Sequence, residues 1–301
     1  MTLESKQIET EIMLIEKRKA GLRRDLTQIG DTITFDFKRN LKSFILMLIV
    51  FLGIFIVFLI VNELQYLQDV PLPEEPINYI NSYMSMFGFM VILSAAGFAG
   101  SIIAEDFHRQ TGNLIFPKIS KTRLLIGRVI SRYGLNTICV GFYYVLIGVM
   151  TFIKYEEIPI VIWGSLGWAL LYTFMIFSFV TLMSSIMKST AISIIVSILF
   201  LLIVFNMLSM ILRFAGVEGE PLYILTYYEG IITASMNMPD PRYSEIRMPT
   251  GMGGNGDGEF ATFINWTTPT EAVALIGMLI FTSIFLALTY FLYRRRQSKN
   301  E

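Results

Sequence analysis

Long uncharged apolar runs alternate with short charged segments along this chain. Six runs hold no Asp, Glu, Lys, Arg or His: residues 44–61, 80–104, 133–153, 160–187, 189–212 and 272–293. A bilayer core about 30 Å thick is crossed by about 20 apolar residues of helix. The pattern therefore predicts an all-α polytopic membrane protein with six transmembrane helices. The fourth and fifth runs are separated by Lys188 alone. Together they exceed two spans, so Lys188 reads as the tip of a tight turn. The first run begins beyond the first ~30 residues where the apolar core of a cleavable signal peptide lies, so the N-terminal segment is expected to be retained.

Composition agrees with this reading. Of 301 residues, 54% are hydrophobic and 16% charged, against about 25% charged in soluble domains. The basic residues set the orientation. The segment before residue 44, the second loop (105–132), Lys188 and the tail (294–301) hold twenty Lys and Arg. The first loop, the third loop with Lys154, and the fifth loop (213–271) hold four. By the positive-inside rule both termini lie in the cytosol. The chain divides into a cytosolic N-terminal segment (1–43), a six-span domain (44–293) and a basic tail.

In the N-terminal segment Ile8, Ile12, Ile15, Leu22 and Leu26 repeat at helical spacing among charges, which predicts an amphipathic helix. Ile33, Phe37 and Leu41 continue at spacing four toward the first span. Within the spans the polar residues are small or neutral. Such residues pack and hydrogen-bond helices together, and Ser178, Thr181 and Asn206 are also candidates for lining a substrate path. Asn206 leads, because an amide in lipid needs a partner. Ala95, Ala96, Gly97, Ala99 and Gly100 form a small-residue packing seam. Secondary transporters hold their coupling ion with intramembrane ionisable groups, and the six runs contain none.

Several chemistries are excluded. The one His, His108, and the one Cys, Cys139, cannot make a His-based metal site, a Ser-His-Asp triad or a disulfide framework. No G-x-x-x-x-G-K-[ST] occurs, so the chain has no P-loop for ATP. Gly254-Asn255-Gly256-Asp257 matches the G-x-G-D of intramembrane aspartyl proteases but lies in a polar loop. One chemistry stays open: Asp257 and Glu259 among glycines could contribute to a Ca²⁺ site, though such a site needs about 6–8 oxygens. Asn265-Trp266-Thr267 is an N-glycosylation sequon on the outer face. The 59-residue fifth loop reads as a short external helix over 222–232 followed by an irregular Pro- and Gly-rich stretch.

The second loop carries most structure. A helix is expected to continue past the second span through Glu105 to Arg109, two residues spaced as a favourable exposed pair. Gly112 marks a helix end. Leu114-Ile115-Phe116 is an apolar triplet ahead of Pro117, and Ser120 can cap a new helix running through Leu124, Leu125 and Val129 into the third span. Its basic residues (Lys121, Arg123, Arg128, Arg132) suit contact with lipid headgroups. The segment reads either as a loop held to its own membrane or as a docking knob for a soluble partner.

Glu105-Asp106, Thr111-Gly112-Asn113-Leu114, Phe116-Pro117-Lys118-Ile119-Ser120-Lys121 and Leu124-Leu125-Ile126-Gly127-Arg128 resemble the signature of ABC-2 type transporter permeases. There an acidic residue ends the second span, Gly-Thr and Pro-Ile-Ser-Arg follow, and Leu-Leu-x-Gly-Lys/Arg enters the third. Asn113 and Lys121 depart from that pattern, and Pro117 is displaced. The resemblance implies a type V exporter-like transmembrane domain that works with a second permease subunit, as a homodimer or with a related chain. It also implies a separate ATPase subunit that carries the ATP and Mg²⁺, and no cofactor on this chain. It places the coupling helix in loop 105–132, with Glu105, Gly112, Leu114, Phe116, Pro117 and Arg128 as coupling residues. It likens residues 33–41 to an elbow helix on the inner surface. The bilayer is the remaining partner, and nothing suggests nucleic acid. The alternatives are a secondary transporter or channel, and a non-transporting anchor for a soluble complex.

Overall fold

The computed structural model describes residues 3–68, 71–108, 121–215, 219–249 and 260–297. It is mostly helical, and six helical segments are long and apolar enough to cross a membrane. Helix α1 (Leu3–Leu67) is followed by α2 (Pro76–Met84), α3 (Phe87–Ala99) and α4 (Ala104–His108). Then come α5 (Lys121–Tyr155), α6 (Val161–Ile186) and α7 (Thr190–Leu199). A π-helical turn (Phe200–Val204) joins α7 to α8 (Phe205–Phe214). The end of the bundle at α4 is termed inner and the opposite end outer, after the orientation that the basic residues predict. The outer segment contains a 3₁₀ turn (Leu225–Glu229), α9 (Gly230–Ala234) and strands β1 (Tyr243–Pro249) and β2 (Phe260–Trp266), before α10 (Glu271–Gln297). Lys188 lies in the three-residue turn between α6 and α7, as its isolation between two apolar runs required.

Helix α1 is continuous from its N-terminal part into the first span, with no break at the expected elbow. At 1.5 Å per residue it extends about 100 Å, several times what a bilayer core requires. Its buried stripe differs from the apolar one at Ile33, Phe37 and Leu41. Thr32 and Asp36 are the buried positions there, and Leu41 is exposed. The reason is α5, which runs parallel to α1 along its length. Arg123 meets Asp25, Gly127 meets Thr32, Arg132 meets Asp36, and Tyr143 meets Phe51. A polar stripe on one helix answers a basic stripe on the other.

The second span is not one helix. It breaks at Ser85–Met86 and again over residues 100–103. The small residues around the second break permit close approach on three sides. Ala95, Ala96 and Ala99 are fully buried. A Cβ on Gly97 would lie 2.6 Å from Met47 of α1, and one on Gly100 would lie 2.6 Å from Ile194 of α7. The seam is therefore a packing contact within the chain. At the outer end, tyrosines close the bundle. The Tyr79 and Tyr83 hydroxyls lie 2.9 Å apart, Tyr83 stacks on Phe55, and the Tyr143 hydroxyl donates to the Tyr83 carbonyl.

The all-α expectation needs one correction. Residues expected to be irregular form an antiparallel hairpin, with Tyr243 opposite Trp266 and Glu245 opposite Ile264. The β-branched and aromatic residues of Phe260–Trp266 favour a strand, and this outweighs the flanking Pro and Gly. The hairpin base is fixed where the Thr267 N–H donates to the Arg242 carbonyl. Residues 222–232 are helical only in part, as the 3₁₀ turn and the start of α9. Leu222 and Tyr223 are exposed, whereas Leu225, Tyr228, Ile231 and Ile232 are all within 2% of full burial.

Gly230 joins these two parts. A Cβ there would overlap the backbone carbonyl oxygen of Thr267. Gly230→Ala is expected to cost about 1–3 kcal/mol by overpacking. Gly134→Ala, whose Cβ would meet nothing within 4 Å, should be neutral or slightly stabilising. Thermal unfolding of both variants in lipid nanodiscs checks this.

Candidate functional site

Two centres stand out, one at each end of the bundle. The inner one begins with a backbone problem. The break at residues 100–103 frees N–H and C=O groups inside a segment long and apolar enough to cross a membrane, and in lipid each would need a partner. The Ser184 hydroxyl of α6 accepts the N–H groups of Ile103 and Ala104, each at 3.0 Å. Arg132 donates to the Phe98 carbonyl and to the Ser101 hydroxyl, and Arg128 donates to the Ile102 carbonyl at 2.8 Å.

The same two arginines need counter-ions, and the neighbouring helices supply them. Arg132, fully buried, pairs with Asp36 of α1 at 2.9 Å. Arg128 pairs with Asp106 of α4 at 2.7 Å. Asp36 also accepts from Arg39 at 2.8 Å. Glu105 lies 3.2 Å from Arg39 and 3.6 Å from Arg132. Asp36, Arg39, Glu105 and Arg132 form one network and Arg128–Asp106 a pair beside it, so in the cluster where α1, α4 and α5 meet three guanidiniums balance three carboxylates. Glu105 and Asp106 precede segment 109–120, and Arg128 and Arg132 follow it within the first turns of α5.

This corrects the headgroup reading of the loop. Arg128 and Arg132 point into the protein, and Arg123 is held by Asp25 at 2.6 Å and by the Gln28 side-chain carbonyl. Glu105 faces Arg39 and Arg132, while Arg109 lies outside the described residues. Arg128 and Arg132 also sit on a helix long enough to span. The absence of ionisable groups from spans, read from the sequence, therefore does not extend to the helices as built. Among the coupling candidates, Glu105 and Arg128 belong to this cluster. Gly112, Leu114, Phe116 and Pro117 lie outside the described residues.

The outer centre is a cavity of about 390 Å³ between α3, the π-turned helix α7–α8, the segment from Gly219 to Gly230 and strand β2. Asn206 lines it. Its amide donates at 2.6 Å to the Leu202 carbonyl, within the π-helical turn. Such turns relax the regular backbone ladder and recur at functional sites. Asn265 also lines the cavity, and its amide lies 3.4 Å from the Ser244 hydroxyl across the hairpin. Ser178 and Thr181 do not line it. Both are fully buried and donate to carbonyls of their own helix, at Met175 and Phe177.

Glu229 was not singled out from the sequence. Its carboxylate accepts the Gly88 N–H at 3.1 Å, at the start of α3. A side chain on Gly88 would occupy the carboxylate's place. Burial pushes Glu229 up from its ordinary 4.5 to about 7, against the opposing effect of the Gly88 hydrogen bond. A signal was present: Glu229 is the lone acid in the apolar and aromatic run from Tyr223 to Ile232. Asp36 has no local signal among the charges of the N-terminal segment, and Arg132 directly before an uncharged run reads as one of the loop's basic residues. Among the described residues no group of three or more His, Cys, Asp and Glu could hold a metal ion.

Two outcomes follow. Asp36→Ala leaves the Arg132 charge buried without its partner and should cost about 3–5 kcal/mol, and adding Arg132→Met should recover most of that. Glu229 binds its proton more tightly in the folded state, so its contribution to stability is full below pH 4.5. It is lost as pH rises to about 7. The loss is at most about 3 kcal/mol, and Glu229→Gln should flatten this part of the profile. Thermal melting of each variant across pH 4–8 reads both effects.

The chain matches no family model and no curated protein sequence.

Proposed function

We propose that the chain is a transmembrane permease subunit of an ATP-binding cassette transporter of the ABC-2 type, located in the cell membrane with both termini in the cytosol. ATP, with its Mg²⁺, is hydrolysed on a separate ATPase chain that docks on residues 105–132. A second permease subunit completes the pathway, and the direction is export. The observation that carries this reading is the neutral charge cluster on both flanks of segment 109–120. A partner pressing on that segment would displace α4 and the foot of α5 together. Through Asp36 and Arg39 the displacement would reach α1. One element that biases two sites is what coupling requires.

Gentle purification from the native membrane, with identification of co-purifying proteins by mass spectrometry, tests this. A stoichiometric partner that carries a P-loop is expected. Phe116→Asp should release it and abolish transport while the chain still inserts. A folded preparation without such a partner, or normal transport by Phe116→Asp, would sink the proposal.

Glu229 favours a second reading, a proton-coupled secondary transporter, because a carboxylate that titrates near neutrality lines the cavity. Flux that persists without any ATPase and follows a pH gradient would select it. Binding of a soluble complex with no flux would instead mark an anchor.

A further inference from the structure

We propose that the outer cavity binds an organic cation, an amine or quaternary ammonium on a compact apolar body, with Glu229 as its counter-ion. The inference concerns the cavity alone and holds whether or not an ATPase drives the chain.

The first support is an asymmetry among the carboxylates. Asp25, Asp36, Glu63, Glu105, Asp106 and Glu220 each lie within ion-pair distance of an Arg or Lys. Glu229 is as enclosed as several of these, yet among the described residues no cation pairs with it. Arg242 of the outer segment is already engaged. It pairs with Glu220 at 2.7 Å, donates to the Thr268 carbonyl and lies 5.5 Å from the Trp266 ring centre. A half-buried carboxylate with one backbone hydrogen bond is incompletely satisfied when ionised.

The second support is the wall. Phe89, Tyr223, Tyr227 and Trp266 line the same cavity. Aromatic faces attract a cation that has shed part of its water, and quaternary ammonium ligands are held in this way. The remaining polar lining, including Asn206 and Asn265, is uncharged and does not compete for the carboxylate. The volume of about 390 Å³ suits a small ligand.

The third support is that Glu229 is fixed in place but still accessible. Gly88 has no Cβ, so the carboxylate can sit at the start of α3 and take the backbone N–H with one oxygen. Glu229 also borders a second cavity of about 290 Å³, where the buried Asn81 side-chain oxygen has no hydrogen-bond partner. The groups facing Glu229 from the packed elements are the Gly88 N–H of α3 and the Tyr172 hydroxyl of α6, while Glu220 and Arg242 of the outer segment pair with each other. None of them neutralises it.

The test uses the full chain in nanodiscs with Trp163→Phe and Trp168→Phe, which leaves Trp266 as the sole tryptophan reporter. The probes are benzyltrimethylammonium and its uncharged isostere neopentylbenzene, titrated against Trp266 fluorescence. The cation should bind saturably and more tightly than the isostere at pH 8. Its affinity should fall about thirtyfold between pH 8 and pH 5.5, because only ionised Glu229 binds it. Glu229→Gln can still accept the Gly88 N–H, and it should remove both the preference and the pH dependence. Equal affinity for the two probes, a wild-type affinity independent of pH, or no saturable response to the cation would each overturn the proposal. The wild-type comparisons stand even if Glu229→Gln fails to fold.

Discussion

The buried pair between Asp36 and Arg132 is the constraint on which the inner half of this protein depends. Arg132 is fully buried and its carboxylate partner nearly so. Neither charge tolerates that burial alone, since an unpaired ion inside a protein costs several kcal/mol. The pair also sets register. It fixes how far α1 and α5 slide along each other, because a shift of one helical turn would separate Asp36 from Arg132 and Asp25 from Arg123. Arg132 then reaches the carbonyl of Phe98 in the broken second span. One side chain thus bridges three helices, and the break at residues 100–103 is tolerable because the arginines and Ser184 supply the hydrogen bonds it lacks.

That arrangement gives the inner end an unusual mechanical character. Helix α4 is a short piece, separated from α3 by the break and held by Arg128 and by the Arg39–Arg132 side of the cluster. Among its described side chains, Glu105 and Asp106 attach it through directional ion pairs, and Ala104 is fully buried. Asp36, Glu105 and Asp106 balance Arg39, Arg128 and Arg132, so α4 is held where the enclosed charges sum to zero. The small-residue seam around Gly97 and Gly100 lies just outward of the cluster and keeps α3 fixed against α1 and α7.

The six spans, the tight turn at Lys188 and the long helix entering the third span were legible in the sequence, because each rests on the length and purity of an apolar run. The breaks in the second span were not. Residues 80–104 are uniformly apolar or small, and periodicity cannot register a break whose cause is hydrogen bonding from Ser184, Arg128 and Arg132 on other helices. The buried charges were misplaced for a related reason. Counting basic residues by loop treats Arg128 and Arg132 as surface groups, whereas their burial depends on Asp106, 22 residues earlier, and on Asp36, 96 residues earlier. The hairpin was hidden by the Pro and Gly that flank it. Asn206 and Asn265 were found because an amide in lipid and a sequon are local signals. That they meet at one cavity is a tertiary fact.

The contrast between Asp36 and Glu229 carries the functional argument further. Both are acids enclosed by the fold, and burial penalises the charge of each. Asp36 escapes that penalty by pairing with two arginines, and in doing so becomes a structural link that tolerates no other ligand. Glu229 has no such partner. It is left poised between protonated and ionised forms, beside a cavity and under an aromatic wall. A fold that needed only to fill this position could have placed an amide or an apolar side chain on the Gly88 backbone. The N–H of Gly88 would be satisfied equally well by Gln, so the hydrogen bond alone does not account for a carboxylate. What a carboxylate adds is the capacity to take up positive charge, from a proton or from a ligand, and the cavity beside it is where that charge would arrive.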